Sequence, residues 1–258
     1  MNTRLLATTI LATAVGVAVL SGCGGPAGPA NVWDRTGPYP VHRAAGPITI
    51  DNRPHPEQWS AATVIRDWIQ PVSGAPADER TEMRMLWDDR CLYVRFVAAD
   101  GDLVGTFKRR DDPIYEEDVV ELFIEPYADK PFYYEFEVNP IGTVMALQIP
   151  GAKEKAGKSL ADMSQWETGI RSAVIARGTV NAPSDRDKGY EVVMAIPWEK
   201  MKLLSGPPRP GQTSRFIGAR CNSGKGLSPK GRQYSAVVRL TKLDFHPNPD
   251  YPSLTFVE

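Results

Sequence analysis

The stretch Met83-Arg84-Met85-Leu86-Trp87-Asp88-Asp89-Arg90-Cys91-Leu92-Tyr93-Val94-Arg95-Phe96-Val97-Ala98 decides the fold class. Met83, Met85 and Trp87 recur at every second position. Asp88-Asp89-Arg90 supplies a polar turn, and Leu92, Val94, Phe96 and Ala98 resume the alternation. Successive side chains of a strand point to opposite faces, so a period of two on both sides of a short turn reads as a hairpin with one face buried. A helix would space its apolar residues three and four apart.

The same period runs outward from this hairpin. It marks Val120, Leu122 and Ile124, then Phe132, Tyr134, Phe136 and Val138, then Met145, Leu147 and Ile149. Further on it marks Tyr190, Val192, Met194 and Ile196, and Phe216 with Gly218 and Arg220 in register. Helical signals are confined to one turn at 56–62 and a short segment at 197–204 that opens on a proline. Segments 151–165, 178–189, 205–213 and 222–232 are rich in Gly, Lys and Pro and read as loops. Many short strands joined in this way predict an all-β sandwich or barrel.

Composition supports that reading and excludes several functions. Of 258 residues, 42% are hydrophobic and 24% charged, which is ordinary for a globular chain. The 23 prolines and 22 glycines favour turns over long helices. Thirty basic against thirty-one acidic residues give a net charge of −1, so no electrostatic footprint for nucleic acid exists.

The chain opens on Met1-Asn2-Thr3-Arg4, an uncharged run over 5–20, and Leu20-Ser21-Gly22-Cys23. A positive start, a short apolar run and small residues before a cysteine predict an export signal over 1–22. The tetrad resembles a bacterial lipobox, which implies acylation of Cys23 and a protein held in the cell envelope by lipid alone, facing the periplasm or in the outer membrane. Residues 23–46 then read as a flexible tether and lead, and 47–258 as the folded domain. Cys91 and Cys221 remain; in an exported protein a disulfide between them and two separate buried thiols both stay open.

Catalytic signatures are missing: there is no G-x-S-x-G, no H-E-x-x-H, no Walker loop and no dinucleotide fingerprint. His42, His55 and His246 each lie near a proline and read as loop residues. Asp185-Arg186-Asp187-Lys188-Gly189 reads as a polar hairpin turn; it lacks the distal Glu of a calcium loop. The informative acids are Glu121, Glu135 and Glu137, which the alternation places on the face away from Leu122 and Phe136. If those strands pair, like charges stand side by side and require a partner. Arg95, Arg215 and Arg220 are internal candidates, a cation or sugar hydroxyls external ones.

These residues carry a resemblance. Ile50-Asp51 with Trp59, Leu86-Trp87-Asp88-Asp89 with Leu92-Tyr93-Val94, Arg110-Asp111-Asp112-Pro113-Ile114-Tyr115, segment 118–124 and segment 133–140 run in the order of the carbohydrate-binding module family 9-like proteins. Gly178-Thr179 with Asn181, Gly189-Tyr190, Ala195-Ile196-Pro197-Trp198, Pro210-Gly211 and Arg220 continue it, so that it covers roughly 47–256. The resemblance implies an immunoglobulin-like, two-sheet antiparallel β-sandwich with minor short helices. It also implies binding of a glycan, such as a plant-type polysaccharide or oligosaccharide, between two aromatic rings beside a carboxylate. Tyr115 and Phe245 match the rings and Glu121 the carboxylate. Glu137 falls where the family's binding modules carry an arginine, both rings are usually Trp there, and Val193 replaces a Glu.

The expectation is therefore a non-catalytic, lipid-anchored glycan-binding domain with ligand residues Tyr115, Glu121, Glu137 and Phe245. No cofactor is required: a structural calcium ion stays open, and a b-type haem, for which Met83, Met85, Met145 and His246 are the available ligands, is disfavoured because the methionines fall in core-facing alternation. A glycoside hydrolase using Glu121 with Glu137 or Glu135, and an envelope scaffold, are the remaining readings.

Overall fold

The computed structural model describes residues 32–126, 132–150, 159–201, 204, 206–224, 231–246 and 249–258. Cys23 and the signal over 1–22 lie outside them. The strands are β1 (Tyr39–Arg43), β2 (Val64–Ile65), β3 (Thr81–Trp87), β4 (Cys91–Ala98), β5 (Val119–Glu125) and β6 (Tyr133–Val138). They continue as β7 (Val144–Ile149), β8 (Arg171–Ala176), β9 (Tyr190–Pro197), β10 (Thr213–Asn222), β11 (Gln233–Ala236) and β12 (Ser253–Val257). Among the described residues, helix is confined to α1 (Leu160–Ser164) and to 3-10 turns at Pro56–Trp59, Ile114–Glu116 and Trp198–Lys200.

The hydrogen-bonded order is β7-β6-β5-β10-β12-β1-β3-β4-β9-β8, with β11 on β10 and β2 on β3. The β3–β4 hairpin pairs Met85 with Val94 and Trp87 with Leu92. Its turn is held by Asp88, whose Oδ1 accepts from the amides of Arg90 and Cys91 at 2.8 Å each. The two layers of the sandwich are halves of one continuous ladder that doubles back. β1 forms the junction and runs parallel to both β12 and β3, the one departure from antiparallel pairing among the named strands. The halves meet closely: a Cβ built on Gly218 of β10 would stand 2.6 Å from Met83 Sδ of β3.

The core between them is aromatic and sealed. Tyr39 packs on Phe216 at 5.6 Å, and Trp68 meets the edge of Phe96 at 6.2 Å. The buried Tyr39 hydroxyl donates to Thr63 O at 2.5 Å and accepts from Met85 N at 3.1 Å, so burial strands no polar atom there. Met83 and Met85 are fully buried in this core.

One sequence expectation is corrected and two open ones are settled. The folded domain starts before residue 47: β1 joins the two halves, and Trp33 packs on Tyr39 at 5.6 Å. The lead hides this because Tyr39-Pro40-Val41-His42-Arg43 is too short and too Pro-rich to stand out. That also puts His42 on a strand. Second, Cys91 and Cys221 are free thiols. Cys91 begins β4 and belongs to a small apolar cluster with Trp59, Leu86 and Tyr93, whereas Cys221 ends β10 beside Glu121. They stand on different strands in different surroundings, and no disulfide joins them. Third, the three candidate arginines neutralise other acids. Arg95 Nε binds Glu191 at 2.6 Å, Arg215 Nη1 binds Glu125 at 2.8 Å, and Arg220 Nη2 binds Asp100 at 2.7 Å and Glu79 at 3.2 Å.

Candidate functional site

β5 and β6 are buried at every position, so both faces of this part of the sheet are covered. On the face away from the core, register builds a row across four strands: Met145 of β7 opposite Glu137 of β6, Glu137 opposite Glu121 of β5, and Glu121 opposite Ala219 of β10. The next row sets Leu147 against Glu135, Glu135 against Phe123, and Phe123 against Ile217. Glutamates therefore occupy the middle of two rows otherwise made of Met, Ala, Leu, Phe and Ile.

Carboxylate oxygens of Glu121, Glu135 and Glu137 all lie within 4.8 Å of one another. These residues are nearly inaccessible, at 2%, 3% and 1% exposure. Burial first, and then the neighbouring Glu135 charge, push the Glu121 carboxyl up to about 8. Burial and the charges of Glu121 and Glu135 hold Glu137 well above the usual carboxylate range. The Cys221 thiol donates to Glu121 Oε1 at 3.2 Å; burial and that carboxylate raise its own pKa, so it is an inert thiol. The Glu137 side chain is hydrogen-bonded to Glu135, while its buried Oε2 has no donor among the described residues.

Above this floor opens a cavity of about 480 Å³. Tyr115, on the 3-10 turn before β5, lines one part of it. Phe245, Tyr234 and His246 line another. Phe245 packs on Phe123 at 6.3 Å and on Tyr234 at 6.1 Å, and its carbonyl accepts the Tyr251 hydroxyl. His246 Nδ1 lies 2.8 Å from the Tyr133 hydroxyl and 3.8 Å from Glu135 Oε2. Arg232 Nη1 donates to the Tyr115 carbonyl at 3.4 Å.

Tyr115, Glu121, Glu137 and Phe245 thus share one cavity, and both rings are half-buried at its wall. Sequence reasoning omitted from the ligand set Glu135, Phe123, Cys221, Arg232, Tyr234 and His246. Alternation alone reaches Phe123 and Cys221, which fall on the Glu121 side of their strands. Arg232 and His246 are brought in by loops, and Tyr234 by the four-residue β11, none of which carries such a signal. The segment Asp185-Arg186-Asp187-Lys188-Gly189 is the β8–β9 hairpin loop. Asp187 there accepts from Leu103 N at 2.7 Å and Thr179 N at 2.8 Å, so its carboxylate is used to hold backbone.

An aromatic-walled cavity over carboxylates can pack a flat, weakly polar ring and accept hydroxyl or ammonium donors. The chain is 29% identical over 145 residues to the exoglucanase XynX of Acetivibrio thermocellus, and 29% identical over 139 residues to endo-1,4-beta-xylanase A of Thermoanaerobacterium saccharolyticum. The matches cover 56% and 54% of this chain but only 11% and 10% of those enzymes. Among solved structures, a protein of Bacteroides uniformis ATCC 8492 superposes with a TM-score of 0.63 at 14% identity, over 85% of this chain and 99% of that one. A carbohydrate-binding module of family 9 from Caldicellulosiruptor kristjanssonii, in complex with cellotriose, superposes with a TM-score of 0.55 at 16% identity, over 84% and 93%. These likenesses establish the β-sandwich. Residues 50–227 match the family described as Carbohydrate family 9 binding domain-like, and the chain belongs to that family.

Proposed function

We propose that this domain binds a saccharide, without transforming it, in the cavity over Glu121, Glu135 and Glu137. The observation that carries the reading is the placement of Tyr115 and Phe245 on the wall of one cavity floored by three buried carboxylates. Pyranose C–H faces pack on aromatic rings, and carboxylates accept hydroxyl donors, so walls and floor divide stacking from orientation. Family membership and the relatives' glucose and cellotriose complexes support the same ligand class.

A non-catalytic role fits the geometry better than hydrolysis. Paired glycosidase carboxyls flank the scissile bond from two sides of the sugar. Here all three rise from one face of one sheet, and burial favours the protonated forms of Glu121 and Glu137. The Leu20-Ser21-Gly22-Cys23 tetrad supports export and acylation at Cys23, which would hold the domain at the envelope surface.

A glycan array probed with the purified protein tests the binding reading. Retention on a defined set of oligosaccharides, lost in the Tyr115→Ala variant, is the expected result; uniform absence of binding by folded protein overturns it. Mass spectrometry of the mature N-terminus tests the anchor, and an unmodified terminus elsewhere than Cys23 ends that part.

A further inference from the structure

Resting on the carbohydrate-binding reading, we infer that the site has a second saccharide subsite beyond Tyr234, so that its ligand is a chain of neutral sugars rather than one terminal ring. A second cavity, of about 430 Å³, lies beside the first and shares Arg232, Tyr234 and Leu243 with it as a common wall. Each cavity has the size of a small-molecule site. The partition between them is β11. Tyr234 stands opposite Cys221 of β10, on the glutamate side, while Gln233 and Ser235 stand opposite Asn222 and Arg220 and line only the second cavity. Successive side chains of a strand point to opposite faces, so this one short strand furnishes both cavities. Across from it, the segment over 70–79 brings Ser73 and Glu79 to the second cavity.

Two arginines define what the second cavity takes. Arg220, only 2% exposed, lines it. Its Nη1 donates to Thr81 Oγ1 at 3.2 Å and its Nη2 to Asp100 at 2.7 Å and Glu79 at 3.2 Å, yet its buried Nε has no acceptor among the described residues. Arg232, on the wall common to both cavities, donates from Nη1 to the Tyr115 carbonyl, and its buried Nε likewise has no acceptor among them. A buried donor left unpaired costs free energy that a ligand oxygen recovers. Glu79 supplies the opposite polarity. Its Oε2 accepts from Asn222 Nδ2 at 2.6 Å and from Arg220, and its side chain is still 32% exposed, which leaves lone pairs for a ligand donor. A hydroxyl both donates and accepts, so a polyhydroxylated ring serves the arginine N–H and the carboxylate together. An anionic sugar fits less well, because Arg220 already pairs with two carboxylates and three more floor the adjoining cavity. Linked rings fit better than two separate ligands: with the wall shared and an N–H of Arg232 spare at the crossing, occupancy of the first cavity makes entry into the second intramolecular.

The test is titration calorimetry of the purified protein with cello- and xylo-oligosaccharides from dimer to hexamer. Within a series that binds, affinity is expected to rise by about tenfold or more from dimer to hexamer, the gain that one hydrogen bond to a charged group supplies. Gln233→Ala, on the face of β11 that only the second cavity uses, is expected to remove most of that gain while the dimer binds as before. Ser73→Trp fills the second cavity from an exposed position and is expected to abolish the gain, which keeps the test decisive should Gln233→Ala melt early. Equal affinity for dimer and hexamer overturns the second subsite and leaves the carbohydrate reading standing. A gain with length that both variants retain overturns it by placing the extra rings elsewhere. Loss of dimer affinity in step with hexamer affinity overturns it by reducing the two cavities to one site. No binding of either series overturns it as well, and the glycan array then decides whether the broader reading falls with it.

Discussion

Glu121 of β5 stands directly opposite Glu137 of β6, and among the described residues neither carboxylate pairs with an arginine. Like charges opposed across a ladder destabilise the sheet, and burial compounds the effect. The fold is therefore built against a local penalty at the position where the cavity opens. Proteins place such strain where a ligand relieves it.

Stability is expected to fall as pH rises through this pair. The Glu121 carboxyl is raised from 4.5 to about 8, so between those values the folded chain holds more protons than the unfolded one. Stability is then full below the lower value and declines toward the upper, by up to about 1.4 kcal/mol per pH unit for each such group. Glu121→Gln removes the ionisable floor group, flattens the slope and gains about 1–3 kcal/mol at pH 8. Urea titrations of both proteins at pH 5 and pH 8 measure it; parallel slopes would refute the account.

Ring removal should separate binding from folding. Tyr115→Ala and Phe245→Ala each take a half-buried ring from the cavity wall, with an expected loss of about 1–3 kcal/mol in glycan affinity. Phe245→Ala also gives up its contacts to Phe123 and Tyr234 and lowers the melting temperature more than Tyr115→Ala. Melting curves and calorimetry on the same samples read both effects. Full-core losses of about 3–5 kcal/mol with unchanged affinity per folded molecule would remove the rings from the site.

Gly189 admits no side chain. Its φ is +118°, and a Cβ there would stand 1.9 Å from the carbonyl oxygen of Ala98. The obstacle is the backbone of β4, which cannot swing aside. Gly189→Ala is expected to cost about 3 kcal/mol or more, combining backbone strain with displacement of the β4–β9 pairing. Gly46→Ala, at a site open to solvent, is the control and should be near neutral. Similar denaturation midpoints for the two would sink the explanation.

Arg220 is 2% exposed and holds Asp100 and Glu79 together inside the sandwich. Asp100 is nonetheless raised to about 7, first by burial and then by the nearby Asp118 charge. Arg220→Met leaves these carboxylates without their cation and is expected to cost about 3–5 kcal/mol at pH 7.5. Adding Asp100→Asn should restore part of it, and a double-mutant cycle in urea measures the coupling. Strict additivity would show that the pair does not act together.

Cys91 and Cys221 are expected to stay reduced and slow to react in the folded protein. Cys221 is buried with its pKa raised well above that of a free thiol, and Cys91 is raised by burial as well. Thiol labelling with and without denaturant should modify both only after unfolding, with no need of a reductant. Labelling that requires a reductant would reveal a disulfide.

Much of this protein is legible along the chain, and the limit is physical. Alternation around Met83–Ala98 and 118–139 is a local property of strands, so it defines the hairpin, the β5–β6 pair and the outward direction of Glu121, Glu135 and Glu137. It is ambiguous where both faces are covered. Met145, Leu147 and Ile149 read as core, yet register sets Met145 and Leu147 beside the glutamates, and Ala146 beside Phe136. The tertiary structure alone decided which arginine meets which acid, that the two cysteines stay apart, and that β1 closes the ladder. It also brought Arg232, Tyr234 and His246 to a floor laid down about a hundred residues earlier. Periodicity reports which way a side chain points from its own strand; what it meets there depends on how distant strands and loops are folded together, which local pattern does not encode.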